Sequence, residues 1–360
     1  MRIMFSGGGT MGSVSPLVAI IEELLSKNKV QPNAIVWVGT YSGPERKLMA
    51  KYDIQYEAIP AGKLRRYFSW QNFVDPFKII AGFFLSYNLM TKYRPDIVIS
   101  AGGFVSVPLA FAAKLYGSKI MIHQLDLDPG LANKIMARVA DVVTVSWQDL
   151  VSKFKKNNAV WVGTPIRRKI LQPITSILDP RLEIHEDRPL ILVMGGGTGA
   201  LEINRLVSKL LPELLDQYQV VHLTGPDKMI GVELPDKEAK YYQAFDYIDE
   251  ELGYLMNMAN VIISRAGIGS LTEIFAINKP AIIIPMPKSH QEINAKYFET
   301  KGAIKIVEQG DNAAAELLKT IEDIINQSDI NSALLEESNT FVNKNATQAF
   351  VAEIYKLLEK

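Results

Sequence analysis

The chain has 360 residues, more than one ordinary hydrophobic core accommodates, so two domains are expected. Its 39 basic residues are matched by 39 acidic ones, which argues against a nucleic-acid partner, and the absence of cysteine excludes disulfides and thiolate metal sites and fits a reducing compartment. Hydrophobic residues make up 48% and no stretch reaches the roughly 20 apolar residues of a membrane-spanning helix.

The first strand is expected at Ile3–Phe5, with no signal peptide ahead of it. It runs into Gly7, Gly8 and Gly9, and a helix is expected over Pro16–Ser26. Strand, glycine turn and helix in that order point bare backbone amides at an anionic group. Further strands are expected at Ala34–Val38, Ile97–Ser100, Lys119–Ile122, Val142–Val145 and Val160–Val162, with amphipathic helices between them such as Pro108–Leu115. A boundary is expected around residues 165–188, where Pro165, Pro173 and Pro180 interrupt the pattern. The glycine device then returns in "PLILVMGGGTGALEINRL", with a strand at Leu190–Met194. Strands follow at Val220–Leu223, Ala244–Tyr247, Val261–Ser264, Ala281–Ile284 and Lys305–Val307. A last helix, Gln348–Leu358, has no strand after it and is expected to pack back toward the N-terminal domain. Uninterrupted Val/Ile runs imply strands buried on both faces, hence parallel sheets and two doubly wound α/β domains. The domains are placed at 1–165 and 166–345, with 346–360 as the returning helix.

Gly7, Gly9 and Gly12 fit G-x-G-x-x-G, and Gly195, Gly197 and Ala200 fit its variant. The pattern alone also fits a mere tight turn. A dinucleotide site also needs an acid at the tip of the second strand, and neither "VWVGTYSG" nor "VVHLTGPD" has one there, which demotes NAD and FAD. No G-x-x-x-x-G-K-[ST] is present. A third glycine turn, Ala266–Gly269, follows the strand Val261–Ser264. A helix is expected to open near Ser270 with Glu273 in its first turn. Glu273 can hold two ribose hydroxyls or simply favour the helix dipole; the pattern leaves both open.

The segments "GGGTMGSVSP", "DIVISAGGFVSVPLAFAAKLYG", "IHQLDLDPGLANKIMARVADVV", "VGTPIR", "VMGGGTGA", "YIDE", "SRAGIGSLTEI" and "HQEINA" occur in one order over nearly the whole chain. Together they resemble the MurG family of peptidoglycan glycosyltransferases. The resemblance implies a GT-B fold, two Rossmann-like domains facing across a cleft. It implies inverting transfer of N-acetylglucosamine from UDP-N-acetylglucosamine to undecaprenyl-diphospho-N-acetylmuramoyl-pentapeptide, at the cytoplasmic face of the cell membrane. The donor is then expected on Arg167, Gly197, Thr198, Ile248, Ile268, Gly269, Ser270, Leu271, Thr272, Glu273, Gln291 and Asn294, with Thr10, Met11, Gly12 and Asp126 reaching it from the first half. Ile248 would offer its backbone to uracil, Glu273 would hold ribose, Gln291 would read sugar hydroxyls and Asn294 would support the loop. The acceptor diphosphate is expected on Gly8, Gly9, Thr10, Gly12, Gly102, Gly103 and Ser106.

The sequence departs from the family pattern at several of these positions. Gly197 and Thr198 stand where the family has Ser-Gln. Ser13 stands where it has a histidine, and serine cannot take a proton at neutral pH. Asp126 replaces an asparagine, which makes it the candidate catalytic base or an orienting group for the donor sugar. His123 is read as a satisfied core residue. Asp126 and Asp128 form a D-x-D, but helix N-termini and Arg167 can neutralise a diphosphate, so no cofactor and no essential metal is expected.

Residues 63–95 combine Arg65, Arg66 and Lys78 with Tyr67, Phe68, Trp70, Phe73 and Phe77, a mixture suited to an anionic membrane surface; Phe83 and Phe84 are expected in the core. Three other functions fit the same residues: a GT-B transferase with a different lipid or small-molecule acceptor, a non-catalytic nucleotide-sugar-binding protein, and a UDP-sugar epimerase of GT-B shape.

Overall fold

The computed structural model describes residues 1–9, 11–26, 29–43, 45–62, 71–154, 158–176, 179–196 and 199–359, with the side chains of 71–74 left out. Thr10, Arg65, Arg66, Tyr67, Phe68, Trp70, Gly197 and Thr198 lie outside the described residues, as does the side chain of Phe73. The chain forms two compact units, one comprising Met1–Arg167 and Asn343–Lys360, the other Arg168–Val342.

The first unit holds the strands β1 (Ile3–Ser6), β2 (Ile35–Gly39), β3 (Gln55–Ala58), β4 (Ile97–Ser100), β5 (Lys119–Gln124), β6 (Val142–Val145) and β7 (Ala159–Trp161). All pair in parallel, in the order β3-β2-β1-β4-β5-β6-β7, with Ile3 opposite both Ile35 and Ile97. Trp37 on β2 stacks on Phe5 of β1, and its indole N–H donates to the Gly7 carbonyl at 3.1 Å. A core tryptophan thus braces the first glycine loop. The helix Ala346–Leu358 buries Phe350, Val351 and Ile354 in this unit, and Phe350 meets the His123 ring edge to face at 5.5 Å. Asn343 ties the chain leading into that helix to the Val162 carbonyl at 2.9 Å.

The second unit holds β8 (Leu190–Met194), β9 (Gln219–Leu223), β10 (Tyr242–Phe245), β11 (Val261–Ser264), β12 (Ala281–Ile283) and β13 (Lys305–Ile306), all parallel in the order β10-β9-β8-β11-β12-β13. The strand expected at Ala244–Tyr247 lies two residues earlier, because β10 takes its register from Tyr242 opposite Val220 and Asp246 already turns away. Strand order reverses between β1 and β4 and between β8 and β11. Ligands of doubly wound sheets bind beyond the carboxyl ends of the strands at such points, and all the glycine turns lie there.

Candidate functional site

In the first unit, the Gly7–Gly9 loop leaves β1 beside the Ala101–Gly103 loop that leaves β4. A Cβ at Gly103 would lie 3.3 Å from the Gly8 carbonyl oxygen, and Gly102 has φ +108°, so side chains are excluded where the loops meet. Met11 and Ser13 are half-buried in the turn before the helix Ser15–Ser26, and Gly12 is exposed. Ser106, expected to meet the diphosphate, is buried: its hydroxyl bonds the Gly102 carbonyl at 3.1 Å and the Ser6 hydroxyl at 2.9 Å. It braces the loop from behind instead of facing a ligand. Glu45, which sequence reasoning missed, is buried against Gly8, and its Oε1 accepts from the Thr40 amide at 2.9 Å and the Thr40 hydroxyl at 2.7 Å. It sits on the short helix after β2, so no strand-tip pattern announces it.

Asp126 follows β5 on a turn held by its own carbonyls. The Leu125 carbonyl accepts from the Trp147 indole at 2.9 Å, and the Asp126 carbonyl accepts from the Gln124 side-chain NH2 at 2.6 Å. Gln124 is in turn bonded at 2.7 Å by Asn133, which packs beside Gly102. The half-buried carboxylate of Asp126 is therefore carried on a fixed turn next to the β4 loop. Asp128 points outward, with Lys134 at 3.5 Å. His123 is fully buried between the Thr144 hydroxyl at 3.0 Å and the Ser146 hydroxyl at 3.1 Å, and burial pushes its pKa down to about 3.

In the second unit, the helix Ile268–Ala276 opens directly off β11. Its first amide satisfied within the helix is Leu271, which donates to the Gly267 carbonyl at 3.0 Å. The amides of Ile268, Gly269 and Ser270 therefore point out of its N-terminus, where the dipole favours an anion. A Cβ at Gly267 or Gly269 would meet nothing within 4 Å, so the approach is open. Because the helix begins at Ile268, Glu273 stands in its second turn and not in its first as expected. The reading of Glu273 as an acid favouring the helix dipole loses its geometry. Glu273 is 7% exposed and lies four residues from Gly269, on the same helix face.

The remaining residues support this turn. Leu271 and Thr272 are buried, with the Thr272 hydroxyl on the Ile268 carbonyl at 2.8 Å, so their side chains are turned into the fold. Buried Asn294 donates to the Ala266 carbonyl at 3.2 Å. Gln291, in the first turn of the helix His290–Thr300, accepts from the Met286 amide at 3.0 Å. Arg265 was missed: it is buried, draws the Ile284 and Pro285 carbonyls to 2.9 Å each, and has its pKa lowered by burial. It holds the β12 exit against the glycine turn. Lys228 was also missed; its ammonium donates to the Gly199 carbonyl at 3.0 Å and fixes the end of the second glycine loop. Ile248 lies in the turn after β10 with its side chain buried. Arg167 is half-buried at the end of the first unit.

The helix Gln71–Tyr93 exposes Phe77 (72%), Ile80, Phe84 (64%) and Leu85 along one face, and the helix Ser106–Tyr116 adds Phe111 and Leu115. The two helices pack where Gly82 faces Pro108. Phe84 was expected in the core; the solvent-side spacing of residues 77, 80, 84 and 85 places it outside instead. Among the described residues no helix is long and apolar enough to cross a membrane.

Residues 3–145 match the glycosyltransferase family 28 N-terminal domain and residues 190–352 its C-terminal domain. A Clostridium kluyveri protein named UDP-N-acetylglucosamine--N-acetylmuramyl-(pentapeptide) pyrophosphoryl-undecaprenol N-acetylglucosamine transferase is 36% identical, over all of this chain and 99% of its own. The crystal structure of Acinetobacter baumannii MurG is 25% identical, superposes with a TM-score of 0.71 and is covered to 99%, as is this chain. A UDP-GlcNAc 2-epimerase from Neisseria meningitidis, solved bound to UDP-GlcNAc, shares the fold at 13% identity, with a TM-score of 0.67 over 99% of this chain and 100% of its own. Two doubly wound units, each with glycine turns at its switch point, and matches to both family domains that together span most of the chain lead to one conclusion: the chain belongs to glycosyltransferase family 28.

Proposed function

We propose that the chain transfers N-acetylglucosamine from UDP-N-acetylglucosamine to undecaprenyl-diphospho-N-acetylmuramoyl-pentapeptide, with inversion at the anomeric carbon. The observation that carries this reading is the open helix N-terminus at Ile268–Ser270 with Glu273 behind it, in a chain alike over its whole length to a transferase named for that reaction. The outward amides bind the donor diphosphate, Glu273 accepts from the ribose hydroxyls, and the Ile248 backbone meets the uracil edge. Gln291 has its carbonyl engaged by Met286, so its NH2 is the end that meets a sugar hydroxyl. The loops at Gly8, Gly9, Gly12, Gly102 and Gly103 hold the acceptor diphosphate, and Arg167 supplies a fixed positive charge to the donor.

In the reaction an acceptor sugar hydroxyl attacks the anomeric carbon. The bond from that carbon to the diphosphate oxygen breaks, and its electron pair leaves with UDP, whose developing charge the helix N-terminus stabilises. The hydroxyl proton passes to the Asp126 carboxylate, since Ser13 cannot accept it. The exposed aromatic face of the helices Gln71–Tyr93 and Ser106–Tyr116 rests on the anionic cytoplasmic leaflet, where the acceptor is anchored.

The test is transfer from radiolabelled UDP-N-acetylglucosamine to a short-chain lipid acceptor by parent, Asp126→Asn and Glu273→Ala. Asp126→Asn should lose about 100-fold or more in turnover with donor binding kept. Near-native turnover would remove Asp126 as base. Absence of acceptor-dependent product from the parent would remove the reading as a whole, and conversion of the donor alone would select an epimerase.

A further inference from the structure

The turn between β10 and the helix Leu252–Met258 carries Ile248, and three side-chain or packing contacts hold it to the stretch that opens the second unit. Lys169, on the four-residue helix Arg168–Leu171, forms an ion pair with Asp249, and Glu250 lies 3.8 Å from the same ammonium. Gly253 packs directly on the Lys169 carbonyl and on Pro173, with no room for a Cβ. The Asp179 amide donates to buried Glu251 at 2.9 Å. From the other side, the Gly225 amide donates to the Asp246 carbonyl at 3.1 Å, and the Tyr247 hydroxyl donates to Asp249 at 2.9 Å. Among the described residues no hydrogen bond involves the backbone of Ile248, while Asp246 before it and Asp249 and Glu251 after it are held by residues outside the turn.

We infer that Lys169 is a positioning residue for the uridine-binding turn, acting through Asp249 to set the Ile248 backbone where it meets the base. The inference rests on the donor-site reading proposed above. The Lys169 and Asp249 side chains are 18% and 15% exposed, so the pair is shielded from water and removing the ammonium takes the cationic partner away from a largely buried carboxylate. Asp249 then relaxes toward solvent and carries the adjoining peptide with it.

UDP is the probe, with its dissociation constant measured by titration calorimetry on the full chain. The parent should bind UDP. Lys169→Met should weaken binding roughly tenfold, about the value of one hydrogen bond to the base, with donor KM raised and kcat at saturating donor within about twofold of the parent. Lys169→Arg should restore affinity to within about threefold, and Lys169→Met combined with Asp249→Asn should be no weaker than Lys169→Met alone. A folded Lys169→Met that binds UDP like the parent overturns the inference, as does strict additivity in the double variant. If Lys169→Met does not fold, Asp249→Asn is read by the same criteria. If Glu273→Ala abolishes UDP binding while Lys169→Met leaves it intact, the clasp falls and the donor site stands. If the parent binds no UDP, both fall together.

Discussion

His123 offers a quantitative check on how the first unit is built. Its ring is fully buried between two hydroxyls, with Phe350 against its face, and desolvation lowers its pKa from 6.5 to about 3. A histidine with a lowered native pKa is neutral in the fold and takes up a proton on unfolding. Stability therefore falls as pH drops below about 6.5, and continues to fall until about pH 3, where the native ring itself protonates. At pH 5 the unfolded side chain is about 1.5 units below its pKa, which favours unfolding by about 2 kcal/mol; at pH 7 the same term is only a few tenths. The perturbation is His123→Gln, which keeps polar atoms in the site but cannot titrate there. All four tryptophans (Trp37, Trp70, Trp147 and Trp161) lie in the first unit, so urea unfolding followed by tryptophan fluorescence reports on that unit alone. The variant is expected to be less stable than the parent at pH 7, yet to lose about 2 kcal/mol less between pH 7 and pH 5. Equal losses in the two proteins would show that the native ring protonates freely near pH 6 and would refute the burial argument.

Phe350→Ala empties a fully buried site on the returning helix and should cost about 3–5 kcal/mol in the same fluorescence-detected transition; an unchanged midpoint would contradict the helix's place in the first unit. Replacing Phe77 and Phe84 by Glu should abolish co-sedimentation with anionic vesicles at low salt while leaving UDP binding intact. Equal sedimentation of variant and parent would exclude this face. Under the proposed neutralisation of the donor without a metal, donor transfer should survive excess EDTA unchanged; loss restored by a divalent cation would reassign the carboxylates Asp126 and Asp128.

Most strands were legible because buried parallel strands read as unbroken Val/Ile runs, as at Ile97–Ser100 and Val261–Ser264. β3 was not, because Gln-Tyr-Glu-Ala at a sheet edge buries too little to leave an apolar signature. The long helix Gln71–Tyr93 is apolar on more than one face, so spacing alone could not decide whether Phe84 turned inward. The start of the helix at Ile268 was obscured because Gly267 makes its N-cap without a side-chain hydrogen bond, leaving no capping residue to recognise. Glycine turns and Glu273 could be read locally. Glu45 against Gly8, Arg265 on the Ile284 carbonyl and Lys169 against Asp249 could not, since the last of these joins residues 80 apart through the fold alone.

The return of the chain into the first unit has a consequence for biogenesis. The second unit is an insertion: its whole sequence, Arg168–Val342, is made before the helix that completes its host. A nascent chain emerging from the ribosome can close the later-coded body at once, whereas the earlier-coded one must wait, its groove for Phe350 and Ile354 uncovered, until the final codons are translated. Premature termination before this last helix would therefore leave a well-formed second unit attached to an unfinished partner.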